Sequence, residues 1–138
     1  MKKVLFVINT LGGAGAEKAL LELLKRFPET EYEVLLYVLL AQGELIHQVP
    51  EQVKILNQSY SDASVLSKKG KHILNRQIFK RLFMRGAIFK NLGYMLKNMA
   101  EMLKKGKLYP DKLLWRVMAD SAQVIDGHYD MAVAFLEG

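Results

Sequence analysis

A chain of 138 residues, 51% hydrophobic and 25% charged, has the composition of a globular domain large enough to bury a sizeable core. It contains no cysteine, which excludes a disulfide framework, a thiolate zinc site and a thiol nucleophile, and which suits a reducing cytoplasm. The net charge of +6 is unevenly spread: residues 1–67 carry −2, residues 68–107 carry +11 with Glu101 the single acid, and residues 108–138 carry −3. Such asymmetry predicts an anionic partner or surface beside the middle segment.

In chain order, Met1-Lys2-Lys3 followed by Val4-Leu5-Phe6-Val7-Ile8 superficially has the order of a signal peptide. Its apolar run stops after five residues, too short for a signal-peptide core or a membrane span. Residues 3–9 therefore predict a first strand covered on both faces. The glycine-rich turn Thr10-Leu11-Gly12-Gly13-Ala14-Gly15 follows. Residues 16–27 predict a helix, with Ala16, Leu20, Leu23, Leu24 and Phe27 on one face and Lys18, Glu22 and Arg26 on another. Pro28 stops it. Residues 32–40 and 53–56 predict second and third strands, with a helical turn over 44–49 between them. Right-handed crossovers then set strand two beside strand one and strand three beyond it.

Residues 59–67 are polar and turn-rich, hence a loop. Residues 68–107 read as interrupted helix. Unbroken, they would extend about 60 Å, whereas a domain of this size is about 35–40 Å across. Gly70, Gly86, Gly93 and Gly106 are the expected breaks. Pro110 opens a further helix to about residue 124, with Leu114, Val117, Met118, Ala122 and Ile125 inward. Asp126-Gly127-His128 ends it, and residues 129–136 predict a fourth, buried strand. The expected fold is α/β: a Rossmann-like parallel sheet of order 3-2-1-4 with flanking helices. Because the chain stops at the carboxyl edge of that strand, where such folds bind ligands, it is expected to be one domain, residues 1–138, of a longer protein.

A glycine-rich turn between a first strand and a helix lets the backbone fold tightly and an anion approach the free N–H groups of the helix start. The plainer use of the same glycines is close packing. Two familiar ligand motifs are absent. A phosphate-binding loop starting at Gly12 would need glycine at 17 and a hydroxyl at 19, where Glu17 and Ala19 stand. A dinucleotide fingerprint starting at Gly13 finds Gly15, but Lys18 replaces its third glycine, and Leu39-Leu40-Ala41-Gln42 supplies no acid at the end of strand two. Oxidoreductase chemistry is disfavoured.

The opening Lys3-Val4-Leu5-Phe6-Val7-Ile8, followed by Gly12-Gly13-Ala14-Gly15-Ala16-Glu17-Lys18-Ala19-Leu20, resembles the start of retaining GT-B glycosyltransferases of family 4. There a strand leads into Gly-Gly-x-Glu and a helix; here two extra residues precede the glutamate. The ending Tyr129-Asp130-Met131-Ala132-Val133-Ala134-Phe135-Leu136-Glu137-Gly138 is similar to the strand after the long helical region of the same domain. The resemblance implies the N-terminal, acceptor-side half of a GT-B architecture. It implies transfer of a sugar from a nucleotide sugar to a glycan or lipid-linked acceptor, as in building a cell-envelope polysaccharide, with no metal and no cofactor. The donor would be gripped mostly by a C-terminal domain absent from these residues, so this chain alone would be inactive. Gly12, Gly13 and Gly15 match the loop facing the donor phosphates, and Glu17 matches the family glutamate. An acid in a first helical turn is also favoured simply by the helix dipole. The chain has no Asp-x-Asp pair of the kind that holds a cation in the GT-A architecture.

Glu137, at the carboxyl end of the fourth strand, is the weak candidate for orienting an acceptor hydroxyl. His47, His72 and His128 form no ligand pair and are expected at the surface. In the basic segment, Lys69, Arg76, Lys90, Lys97 and Lys104 recur at sevens, with Phe83 in the remaining slot, opposite Leu74, Ile78, Leu82, Phe89, Leu92, Leu96, Met99 and Leu103. This suits either a solvated face over a helical layer or a helix lying on an anionic membrane surface, at the inner face of the membrane. Nucleic acid is disfavoured for want of aromatic stacking motifs. Two other functions stay open: a nucleotide-binding α/β enzyme of another class, and a non-enzymatic module that binds an anionic surface or nucleic acid through the basic helix.

Overall fold

The computed structural model describes residues 1–83, 88–106 and 125–135, without the side chains of residues 81 and 82. The chain divides into two compact units, Met1–Leu74 with Ile125–Gly138, and Asn75–Val124. In the first unit β1 (Lys2–Ile8), β2 (Tyr32–Val38), β3 (Lys54–Ile55) and β4 (Met131–Phe135) form one parallel sheet in the order β3-β2-β1-β4. This is the Rossmann-like order expected from right-handed crossovers.

The core follows from strand alternation. Val4, Phe6 and Ile8 stand in register with Val34, Leu36 and Val38 on one face. Leu5, Leu35 and Tyr37 are buried on the other, so the apolar runs of β1 and β2 are unbroken because both faces are covered. The first helix, α1 (Gly15–Leu24), lays Leu20, Leu21 and Leu24 into this core together with Glu17. Each buried leucine contributes about 2 kcal/mol.

Helix α1 departs from expectation twice. Its inward stripe runs through Leu21, and Leu23 is exposed. It also ends before Phe27, because Pro28 excludes helical geometry from the residue before it. Phe27 instead packs edge-on against Phe6 and Tyr32, with ring centroids 5.6 and 5.4 Å away.

Strand β3 is only two residues long, and the side-chain amide of Asn57 continues its ladder. Its Oδ1 accepts from the Val38 N–H at 2.9 Å and its Nδ2 donates to the Val38 carbonyl at 2.7 Å. Strand β4 is held by Asp130, whose N–H donates to the Lys3 carbonyl and whose carboxylate accepts from the Lys3 N–H at 2.7 Å. Contrary to the buried strand expected, β4 borders the sheet and Met131 is 57% exposed. Across the sheet, Glu33 lies between Lys54 and Lys3, and these ammonium groups, Lys54 first, hold its carboxyl below the usual range.

The basic segment forms α2 (Lys68–Leu82) and α3 (Ile88–Lys105). Gly70 and Gly93 lie inside these helices and do not break them. Gly106 does end α3, in the left-handed region (φ +63°) with its N–H on the Met102 carbonyl. Gly70 serves close approach: a Cβ there would run into the Ser64 carbonyl. The Ser67 hydroxyl accepts from the Gly70 N–H at 2.9 Å and caps α2. Gly86, the expected helix over 110–124 and Glu137 lie outside the described residues.

Gly43 has φ +141°, and a Cβ there would collide with the Leu11 carbonyl. Gly43→Ala is therefore expected to cost about 3 kcal/mol. Gly15→Ala, with open space around its Cβ position, is expected to change stability by less than about 1 kcal/mol. Urea midpoints of the two variants check the contrast.

Candidate functional site

Beyond β1, the chain turns under the exit of β2. The N–H groups of Leu39 and Leu40 donate to the carbonyls of Ile8 and Asn9, and the Leu11 N–H donates to the Gln42 carbonyl. The Leu11 carbonyl in turn accepts from Leu45 N–H at 2.9 Å, and the Leu11 side chain is fully buried. Gly12 is buried against Val65, whereas Gly13, Ala14 and Gly15 lie exposed at the carboxyl edge of the sheet. The first hydrogen bond of α1 runs from the Lys18 N–H to the Ala14 carbonyl at 3.3 Å, and Ala14 offers no side-chain cap. The N–H groups of Gly15, Ala16 and Glu17 thus have no partner inside the helix.

Two acidic side chains stand beside these donors. Glu17, 9% exposed, accepts the Thr10 hydroxyl on Oε1 at 3.4 Å, and its Oε2 is buried with no partner. Glu44, in the single turn of 3-10 helix Glu44–Gln48, lies across the turn: its Oε1 is 3.7 Å from the place a Cβ on Gly13 would occupy. That oxygen accepts from the Ser64 hydroxyl at 3.0 Å, while Oε2 is buried and unpartnered. A buried acceptor left without a donor costs about 1–3 kcal/mol. The turn thus combines helix-start N–H groups that lack a partner inside the helix with two carboxyl groups that each keep one buried, unpartnered oxygen.

Gln42 and Tyr60 hold this arrangement from behind. Gln42 is fully buried, and its Nε2 donates to the carbonyls of Ala63 (3.2 Å) and Gly70 (2.9 Å). The Tyr60 hydroxyl donates to the Gly43 carbonyl at 3.0 Å. Burial, then the nearby Glu44 and Asp62, push the Tyr60 phenol well above its ordinary value.

The structure thus gathers Gly12, Gly13, Gly15 and Glu17 at one sheet edge. The basic residues lie on the helices: Lys69 and Arg76 along one line of α2, and Lys90, Lys97 and Lys104 along one line of α3, all exposed. His47 is exposed 3.4 Å from Asp62, and His72 and His128 are exposed. Among the described residues no three His, Asp or Glu side chains converge as a metal site requires. Sequence reading missed Glu44. The acid expected at the end of the second strand is absent from residues 39–42, and the chain supplies one two positions further on, after Gly43. The signal was Gln42-Gly43-Glu44 directly beyond an apolar strand.

The raised Tyr60 pKa fixes the sign of a pH effect. The phenol ionises more readily unfolded, near its ordinary value of 10.0, so the folded state binds the proton more tightly. Its contribution is complete below that pH and is lost as pH rises further. Wild type is expected to lose stability more steeply than Tyr60→Phe above about pH 10, as read by urea denaturation across pH 8–11. Compared with protein-family models, with curated proteins and with solved structures, the chain matches none.

Proposed function

We propose that this domain binds a hydroxyl-rich ligand at the glycine turn and is the acceptor-side half of a GT-B glycosyltransferase. One observation carries the reading: the same turn holds helix-start N–H groups at residues 15–17 with no partner inside the helix, Glu17 in that first helical turn and Glu44 across from Gly13, each carboxyl with one buried, unpartnered oxygen. A phosphate group only accepts hydrogen bonds, and two carboxyl groups would face it with oxygens alone. A sugar hydroxyl both donates and accepts, so a polyol fills both halves of the site. The resemblance of Gly12-Gly13-Ala14-Gly15-Ala16-Glu17 to the family 4 turn supports sugar transfer as the reaction. On this reading Glu17 and Glu44 orient hydroxyls of the acceptor or the transferred sugar. The grip on the donor nucleotide belongs to a second domain, and this chain binds without turning over.

A second reading rests on Glu44. An acid just past strand two and next to a glycine turn is also how a nucleotide-binding α/β enzyme holds a ribose diol. Amide NMR titrations separate the two. With a neutral disaccharide or a nucleotide sugar, shifts over residues 12–17 are expected. Glu44→Ala is expected to weaken them about tenfold, and inorganic phosphate to leave them unmoved. Shifts with a nicotinamide dinucleotide alone would favour the second reading. No shift with any of these ligands would remove both.

A further inference from the structure

Helix α3 is turned inside out. At 100° per residue, Ile88, Phe89, Leu92, Met95, Leu96, Met99 and Leu103 fill an arc of about 120°. All seven are exposed, from 46% at Met95 to 87% at Phe89. The covered side chains lie on another stripe and are mostly polar: Asn91 is 4% exposed, and Tyr94, Asn98, Glu101 and Met102 are half-buried. A helix seated on a protein core does the opposite. Burying amides while leaving seven large apolar side chains in water calls for an apolar phase outside the chain. In the same unit, Phe79 of α2 and Phe83 just after it stack at 6.3 Å and are 61% and 66% exposed.

The charges select the occupant. Lys90, Lys97 and Lys104 form one line beside the apolar arc, Lys105 follows, and Glu101 is the only acid on the helix. A second copy would set this line against its own like charges, which association penalises. A bilayer with anionic headgroups offers hydrocarbon for the arc and phosphates for the lysines, whose stems can reach up from the apolar level. Among the described residues no helix is long and apolar enough to cross a membrane, so α3 would lie in the surface.

We propose that α3 docks this chain onto an anionic bilayer, in the plane of the interface, with Phe89, Leu92, Leu96, Met99 and Leu103 below the headgroups and Lys90, Lys97 and Lys104 among them. The inference stands independently of the ligand at the glycine turn.

The test is flotation of the 138-residue chain with vesicles of phosphatidylcholine alone, or with about one third phosphatidylglycerol, at about 50 and 500 mM salt. Binding is expected to the anionic vesicles, at least about tenfold weaker at high salt. Reversing Lys90, Lys97 and Lys104 to Glu is expected to weaken it about 100-fold. Placing Asp at Phe89, Leu96 and Leu103 is expected to abolish it at both salt concentrations. Unchanged circular dichroism shows that these exposed substitutions leave the fold intact, and the wild-type comparison of vesicle types needs no variant. Equal binding to both vesicle types, or binding to neither, would overturn the proposal. So would a dimer that shields α3, or capture by RNA, with no response to vesicles.

Discussion

The constraint on which the glycine turn depends is the close approach of the Leu11 backbone carbonyl to Gly43. Any side chain at 43 would occupy the space of that carbonyl. With Leu11 donating to Gln42 and accepting from Leu45, the strap between β2 and the 3-10 turn is fastened to the turn after β1. The path of the glycine turn and the position of Glu44 are consequently one structural fact. Tyr60 and Ser61 add a second tier: Ser61 accepts from the Gly43 N–H and donates its own N–H to Ala41. Ala41 pays for this path with a left-handed φ of +48°.

Electrostatics at the turn are mixed, and the mixture bears on the proposed ligand more than the glycines do. A helix start alone attracts anions. Glu17 in the first turn already answers part of that field, and Glu44 adds a second acid from a different element. What the backbone invites, these carboxyls filter. On the proposed reading, the outcome is a site that suits groups able to give and take protons in hydrogen bonds, rather than bare oxyanions.

The sheet was readable from sequence because its causes are local. The continuous apolar runs of β1 and β2 mark strands covered on both faces, and short connections with right-handed crossovers leave few ways to order them. The stripe of α1 was nearly readable: a 3.6-residue period identifies neighbours on a face, but Leu21 and Leu23 are both apolar, and only the tertiary docking decides between them. Glu17 on the buried stripe was unreadable for the same reason, since its burial depends on Thr10 and the core beneath. In α3 the period gave the correct apolar arc. No periodicity states which arc is covered, and there the polar one is. Gly70 looked like a helix breaker and is a contact point, because its meaning lies in Ser64, a residue outside the helix.

The hydrogen bonds between Lys3 and Asp130 join residues separated by 127 positions, whereas β1 meets β2 about thirty residues away, at Lys2 and Tyr32. Closing the longer span costs about 1 kcal/mol more entropy, roughly two doublings of loop length. The pairing of β1, β2 and β3 thus carries the smaller closure cost, and all three strands are complete in the chain before β4 is synthesised. Until β4 is made, one flank of β1 has no partner strand in the sheet. During that interval the nascent sheet offers a sticky margin to any other extended segment, and Asp130 is the latch that ends the wait.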